Sequence, residues 1–308
     1  MKEFYDKLDE LYAAGDIPAV EAFILDAVAK TDEQSPERAG LLNELAGFYR
    51  GVSRYAESEE AFERSLSIFE SVGMEATPEY ATVLLNLAGL YRMRGEAEKA
   101  VELFLNSKKR LEDLGSCDSY EYVSVLNNLA LAFQAKGDLT QALEYATKAL
   151  DLMRAQDGKE HEVATSLNNV STIQLGLGDL ETADKLISEA LEIYDAMEEP
   201  DVHHAAALTT KAVLMCRQGN YRNSLNGFRS ALALTKHFFG ENIEFAICKR
   251  NISEVCELMG DIPSALSELS EAARIMDRIL GSDHNTVLSV RRKLAALISA
   301  ATYGDTRG

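Results

Sequence analysis

Ser119-Tyr-Glu-Tyr-Val-Ser-Val-Leu-Asn-Asn-Leu-Ala-Leu-Ala-Phe-Gln-Ala-Lys-Gly137 reads as one helix and its stop signal. Leu126, Leu129, Ala130 and Phe133 recur at i, i+3, i+4 and i+7, so they share one face of a helix. Gly137 ends it, because glycine takes the left-handed backbone of a helix stop without steric cost. A second helix starts at Asp138, with Leu139, Ala142, Leu143, Ala146, Ala149 and Leu150 as its apolar side.

The same marks recur along the chain. The turn position is filled by Ser53, Gly95, Gly137, Gly178, Gly219 and Gly260, at intervals of 42, 42, 41, 41 and 41 residues. Seven residues before each turn stand Ala46, Ala88, Ala130, Ser171, Ala212 and Ser253. Five after stand Ser58, Ala100, Ala142, Ala183, Ser224 and Ala265, and twelve after stand Ser65, Ser107, Ala149, Ala190, Ala231 and Ala272. Four columns held in register over six units mark an array of helical hairpins. Small residues at fixed points let the backbones approach, and larger neighbours fill the remaining space.

This pattern resembles the tetratricopeptide repeat. The long period and Leu126-Asn-Asn-Leu-Ala130 resemble the kinesin light chain type. HEAT and armadillo repeats share the period but not the spacing of small, glycine, small and small. The resemblance implies an all-α fold, a right-handed α-α superhelix of about seven hairpins plus a C-terminal capping helix. An atypical hairpin around Gly15 is expected in residues 1–36 and six full units in 37–281. A capping helix near 285–302, with a frayed tail at 302–308, is expected in residues 282–308.

Composition agrees with an elongated array rather than the two globular domains that 308 residues would otherwise suggest. There is no tryptophan, and only five prolines interrupt the helices. A net charge of −19 argues against a nucleic-acid partner, which requires a basic face. It fits solvated outer faces such as Glu57-Ser-Glu-Glu-Ala-Phe-Glu63, or steering of a basic partner. The N-terminal residues lack the apolar run of a signal peptide, and no apolar stretch of about 18 residues exists to cross a membrane. Cys117, Cys216, Cys248 and Cys256 show no CxxC spacing, which points to a reduced, cytoplasmic setting.

The sequence offers little chemistry. His203 and His204 are adjacent, so their side chains diverge on a helix and make poor co-ligands. His161-Glu-Val-Ala-Thr165 lacks the second histidine of a zinc-protease helix. The glycines sit one per unit as helix stops and form no phosphate loop. Cys256 takes the place of Phe133 and Cys216 lies beside the core, so both read as packing residues. The expectation is no enzyme, no cofactor and no metal.

Function is expected on the stripe opposite the core face, Ser124, Asn128, Leu131 and Ala135. The resemblance places that stripe on the concave side. Its asparagine column reads Glu44, Asn86, Asn128, Asn169, Thr210 and Asn251, and its neighbours are largely small or apolar, such as Gly47, Gly89 and Gly176. An amide carries both a donor and an acceptor, so a row of them can pair with a peptide backbone whatever its side chains. In related peptide-binding repeats the matching asparagines do this, which carries over to Asn86, Asn128, Asn169 and Asn251, with Asn127 and Asn168 beside them. The alternative is that the amides bond neighbouring helices and join unit to unit. Arg50 and Arg92, one unit apart, suit a carboxylate of the partner or a surface ion pair with a glutamate, and Glu254 and Glu257 make the other end acidic. The leading reading is an interaction scaffold that binds a peptide or short helix in its groove. The alternatives are a receptor for a small signalling peptide that acts through superhelical pitch, and a structural adaptor or homo-oligomer using the convex face.

Overall fold

The computed structural model describes residues 2–197 and 200–305, with side chains to residue 300. All regular structure among them is helical, as the columns require. The first helices of the hairpins are α1 (Lys2–Ala13), α3 (Pro36–Gly51), α5 (Pro78–Met93), α7 (Tyr120–Ala135), α9 (Glu160–Leu177), α11 (Val202–Arg217) and α13 (Ile243–Leu258). The second helices are α2 (Ile17–Ala29), α4 (Tyr55–Ser71), α6 (Ala97–Asp113), α8 (Leu139–Arg154), α10 (Leu180–Asp195), α12 (Tyr221–Phe239) and α14 (Ile262–Leu280). α15 (Asn285–Asp305) packs on α14 and runs past the end read from the sequence. Residues 306–308 of the expected tail, and residues 198–199 between α10 and α11, lie outside the described residues. The chain divides into two compact units, Met1–Ile193 and Tyr194–Gly308.

Local chemistry sets the helix ends. Ser35, Thr77 and Ser119 cap α3, α5 and α7 by accepting the backbone N–H of Arg38, Tyr80 and Tyr122, and Pro36 and Pro78 open two of these helices. Asp16, Asp138 and Asp261 cap α2, α8 and α14 in the same way. Between the two helices of a hairpin the chain turns through a left-handed residue. Gly137 is one, at φ 82°, and Ser53 holds the same conformation at φ 62° although it carries a side chain.

The three small columns are fully buried in both units: Ala130, Ala142 and Ala149 are 0% exposed, as are their counterparts. Where a column holds serine, the hydroxyl has a fixed partner. Ser58 Oγ donates to Ala46 O at 2.8 Å, Ser171 Oγ to Ala183 O at 2.9 Å and Ser253 Oγ to Ala265 O at 2.7 Å, each to the other helix of its own hairpin. Serine therefore substitutes for alanine here without leaving a buried polar group unpaired.

Larger residues join one hairpin to the next in unit 1. Tyr91 Oη donates to Glu59 at 2.7 Å, and Arg94 pairs with the same carboxylate. Tyr80 Oη donates to Glu70 at 2.8 Å with Arg110 over its ring, and Tyr122 Oη donates to Glu112 at 2.9 Å with Lys148 over its ring. Burial, then the acceptor glutamate, pushes the Tyr80, Tyr91 and Tyr122 hydroxyls up to about 12.

Candidate functional site

In unit 1 neighbouring first helices touch: α3 packs on α5, α5 on α7 and α7 on α9. α4, α6 and α8 each pack against the first helix before and the first helix after them. Neighbouring first helices thus form one continuous wall in this unit, and the stripe carried by α3, α5, α7 and α9 runs along it.

The amides on that wall divide into two sets. Asn127, Asn168 and Asn169 are buried, at 8%, 8% and 6% exposure. Asn127 Nδ2 donates to Ser166 Oγ at 3.0 Å, and Asn127 Oδ1 accepts from Asn169 Nδ2 at 3.0 Å, so this group ties α7 to α9. The buried Asn168 Oδ1 accepts no hydrogen bond among the described residues. Asn86 and Asn128 are only half-buried. Asn86 Nδ2 donates to Asn43 Oδ1 at 3.0 Å, and Asn128 Nδ2 donates to Ser124 O of its own helix at 2.9 Å. Among the described residues no donor reaches the Oδ1 atom of either.

Asn43 and Ser166 were not among the residues singled out from the sequence. Their signal was present: Asn43 and Asn127 share a column one residue before the Asn128 column, and each pairs with the amide one residue and one unit further on. What the sequence cannot give is the diagonal reach from one helix to the next.

Arg50 leans onto the following hairpin, where its Nη1 donates to Asn86 O at 2.9 Å. It crosses Gly89, where an added Cβ would lie 2.7 Å from that nitrogen, so the glycine is what admits the guanidinium. Burial and then the charge of Arg92 pull Arg50 down to about 10, while Glu44 acts in the opposite sense. Burial raises Glu44 above its ordinary value, against the hydrogen bond from Tyr5 Oη at 3.5 Å and the pull of Arg50. Burial also raises Tyr5 and Tyr12 of α1, with Glu44 as the next cause for both. This end of the wall thus holds two like charges, Arg50 and Arg92, beside a carboxyl that burial drives towards its neutral form.

Asn251 belongs to unit 2, where it receives a 3.5 Å contact from Arg250 Nη2. In that unit Glu257 is paired with Lys293 at 3.1 Å and Glu254 is exposed. Burial raises the Cys216, Cys248 and Cys256 thiols, Cys248 to about 12, and Cys248 Sγ donates to Phe228 O at 3.2 Å. Such thiols stay protonated and serve as packing groups, not nucleophiles. His204 stacks on Tyr194 with ring centroids 5.5 Å apart. A cavity of about 690 Å³ is lined by Leu139, Leu143 and Leu152 of α8, by Ala155 just past its end and by Leu177. No described helix is long and apolar enough to cross a membrane.

The tetratricopeptide repeat family model matches residues 37–112 and 121–196. No curated protein sequence matches the chain. Among solved structures, NprR in complex with its cognate peptide NprX is similar at 16% identity and TM-score 0.62, over 96% of this chain and 82% of that one. A Rap protein complexed with competence and sporulation factor is similar at 13% identity and TM-score 0.58, over 96% and 100% of the two chains. The nearly identical kinesin light chain-type repeats of a Podosopora anserina protein are 18% identical, over 64% and 97% of the chains, with a TM-score of 0.49. At these identities the likeness is one of fold.

Proposed function

We propose that this chain, which is a tetratricopeptide repeat protein, holds an extended peptide segment of another protein along the wall of first helices in its N-terminal unit. Tetratricopeptide arrays are generally protein-binding and typically non-catalytic, and the stack of hairpins supplies a long surface for a partner. The observation that carries the finer reading is the division among the amides. Asn127 and Asn169 spend their hydrogen bonds on each other and on Ser166, so they serve as struts. Asn86 and Asn128 remain half-buried with an amide oxygen unengaged, which is the arrangement a peptide N–H requires. Arg50 and Arg92, with one donor of Arg50 already fixed on Asn86 O, are positioned for an acidic group of the same partner.

A small signalling peptide is the second reading of the same wall, favoured by the NprR–NprX complex and the Rap complex among the structural neighbours. The test is capture of partners from native lysate by the full chain and by Asn86→Ala with Asn128→Ala. Loss of capture with an unchanged melting temperature is the expected result. Undiminished capture by a variant that melts lower would assign these two residues to structure as well. A captured peptide that changes the radius of gyration in solution scattering favours the receptor over the scaffold.

A further inference from the structure

We propose that a second copy of this chain docks on α8, laying the basic face of its own α12 along the groove there. The charge of the chain is divided unevenly. Residues 1–193 carry 18 basic and 36 acidic side chains, whereas residues 194–308 carry 13 and 14. At a net charge of −19 two copies repel each other at a distance, so they associate only where a basic face meets an acidic one. The groove is the cavity of about 690 Å³ over α8. Its sides are Leu139, Leu143, Leu152 and the exposed Leu177, and its rim carries Glu144 and Asp151. The lining along α8 runs from residue 139 to residue 155, about 24 Å at the rise of a helix, which is the reach of another helix rather than of a small molecule. Lys148, the cation in the groove, is engaged by Tyr122, to whose Oη it donates at 3.2 Å.

α12 is the complement of this groove. It contains no acidic residue. Its Arg222, Arg229 and Lys236 are all exposed and stand seven residues apart, so they form one stripe, with the half-buried Leu225 and Leu232 beside it at the same spacing. Among the described residues no carboxylate lies within salt-bridge distance of these three cations, and Lys236 only overlies the Phe245 ring at 5.9 Å. Glu144 and Asp151 are exposed and have no cation within that distance either. They too stand seven residues apart, about 10.5 Å along the helix, so two acids of one copy face two successive cations of the other whichever way the helices run. The leucines of both helices then meet between the charges. One helix in one groove covers less than about 1,000 Å², so the association is weak. Because different surfaces of the two copies meet, the contact is heterologous. It uses none of the amides on the wall of first helices, so it does not depend on the peptide reading.

Sedimentation equilibrium of the full chain, from about 10 μM to 1 mM, tests this, and the mass should rise with concentration. Glu144→Arg with Asp151→Arg should weaken the association about tenfold or more, and so should Arg222→Glu with Arg229→Glu. An equal mixture of these two double variants should associate again, because the native α12 of the first meets the native groove of the second. Thr147→Tyr, at an exposed position between the two acids, keeps every charge and should weaken the association by filling the groove. Glu60→Arg with Glu63→Arg makes the same change of net charge on the exposed side of α4 and should not weaken it. Melting temperatures of all variants should match the native chain, since every substituted residue is exposed. A constant monomer mass overturns the proposal. So does native-like association of either double variant or of Thr147→Tyr, a mixture that stays monomeric, or an equal loss in the α4 control.

Discussion

Asn127→Ala separates the strut from the grip. The side chain is 8% exposed and makes two bonds that cross from α7 to α9, to Ser166 Oγ and from Asn169 Nδ2, both at 3.0 Å. Ser166 and Asn169 are themselves 0% and 6% exposed, so water does not replace the lost partner. Leaving two buried polar groups unpaired costs about 1–3 kcal/mol each, or roughly 2–4 kcal/mol together once the helices relax. At about 2–4 °C per kcal/mol for a unit of this size, the melting temperature should fall by roughly 5–15 °C. Circular dichroism melts and urea titrations of the full chain measure this. Asn169→Ala and the double variant complete a thermodynamic cycle. Because the two residues share a bond, the double variant should cost less than the sum of the singles by about 0.5–3 kcal/mol. A fall below about 2 °C, or strict additivity, refutes the assignment of these amides to the joint between repeats.

Ser53→Gly should stabilise the chain by about 0.5–1 kcal/mol, because glycine relieves the left-handed strain at φ 62° but gives back part of the gain as entropy; calorimetry reads it directly. The raised tyrosines make stability fall in alkali. Tyr80, Tyr91 and Tyr122 are held neutral by the fold, so their contribution is complete below the ordinary tyrosine value near 10 and is lost as pH rises through about 12. Melts from pH 8 to 12 with tyrosinate absorbance should show this loss, and it should shrink in Tyr80→Phe with Tyr122→Phe. Gly89→Ala should leave stability within about 1 kcal/mol, since helix propensity gained offsets the Arg50 bond displaced, yet it should move the Arg50 Nε resonance and weaken capture of any acidic partner. A shift confined to stability would contradict the reach of Arg50 over that glycine.

The sequence by itself determined the hairpins. A 3.6-residue period and a small–turn–small–small spacing depend only on backbone geometry within one unit, and Ala130, Ala142 and Ala149 are buried as those rules require. Even the odd member, Ser53 in the glycine column, was legible as a turn before its left-handed φ was known. The tertiary structure alone decided what the polar side chains do. Asn86 meets Asn43, Asn169 meets Asn127 and Arg50 crosses Gly89, because each outcome turns on a small separation between two helices. A hydrogen bond forms or fails over that distance, whereas a buried methyl group tolerates it. Periodicity therefore located the amide column, and only the packing of one hairpin on the next sorted its members into struts and free groups.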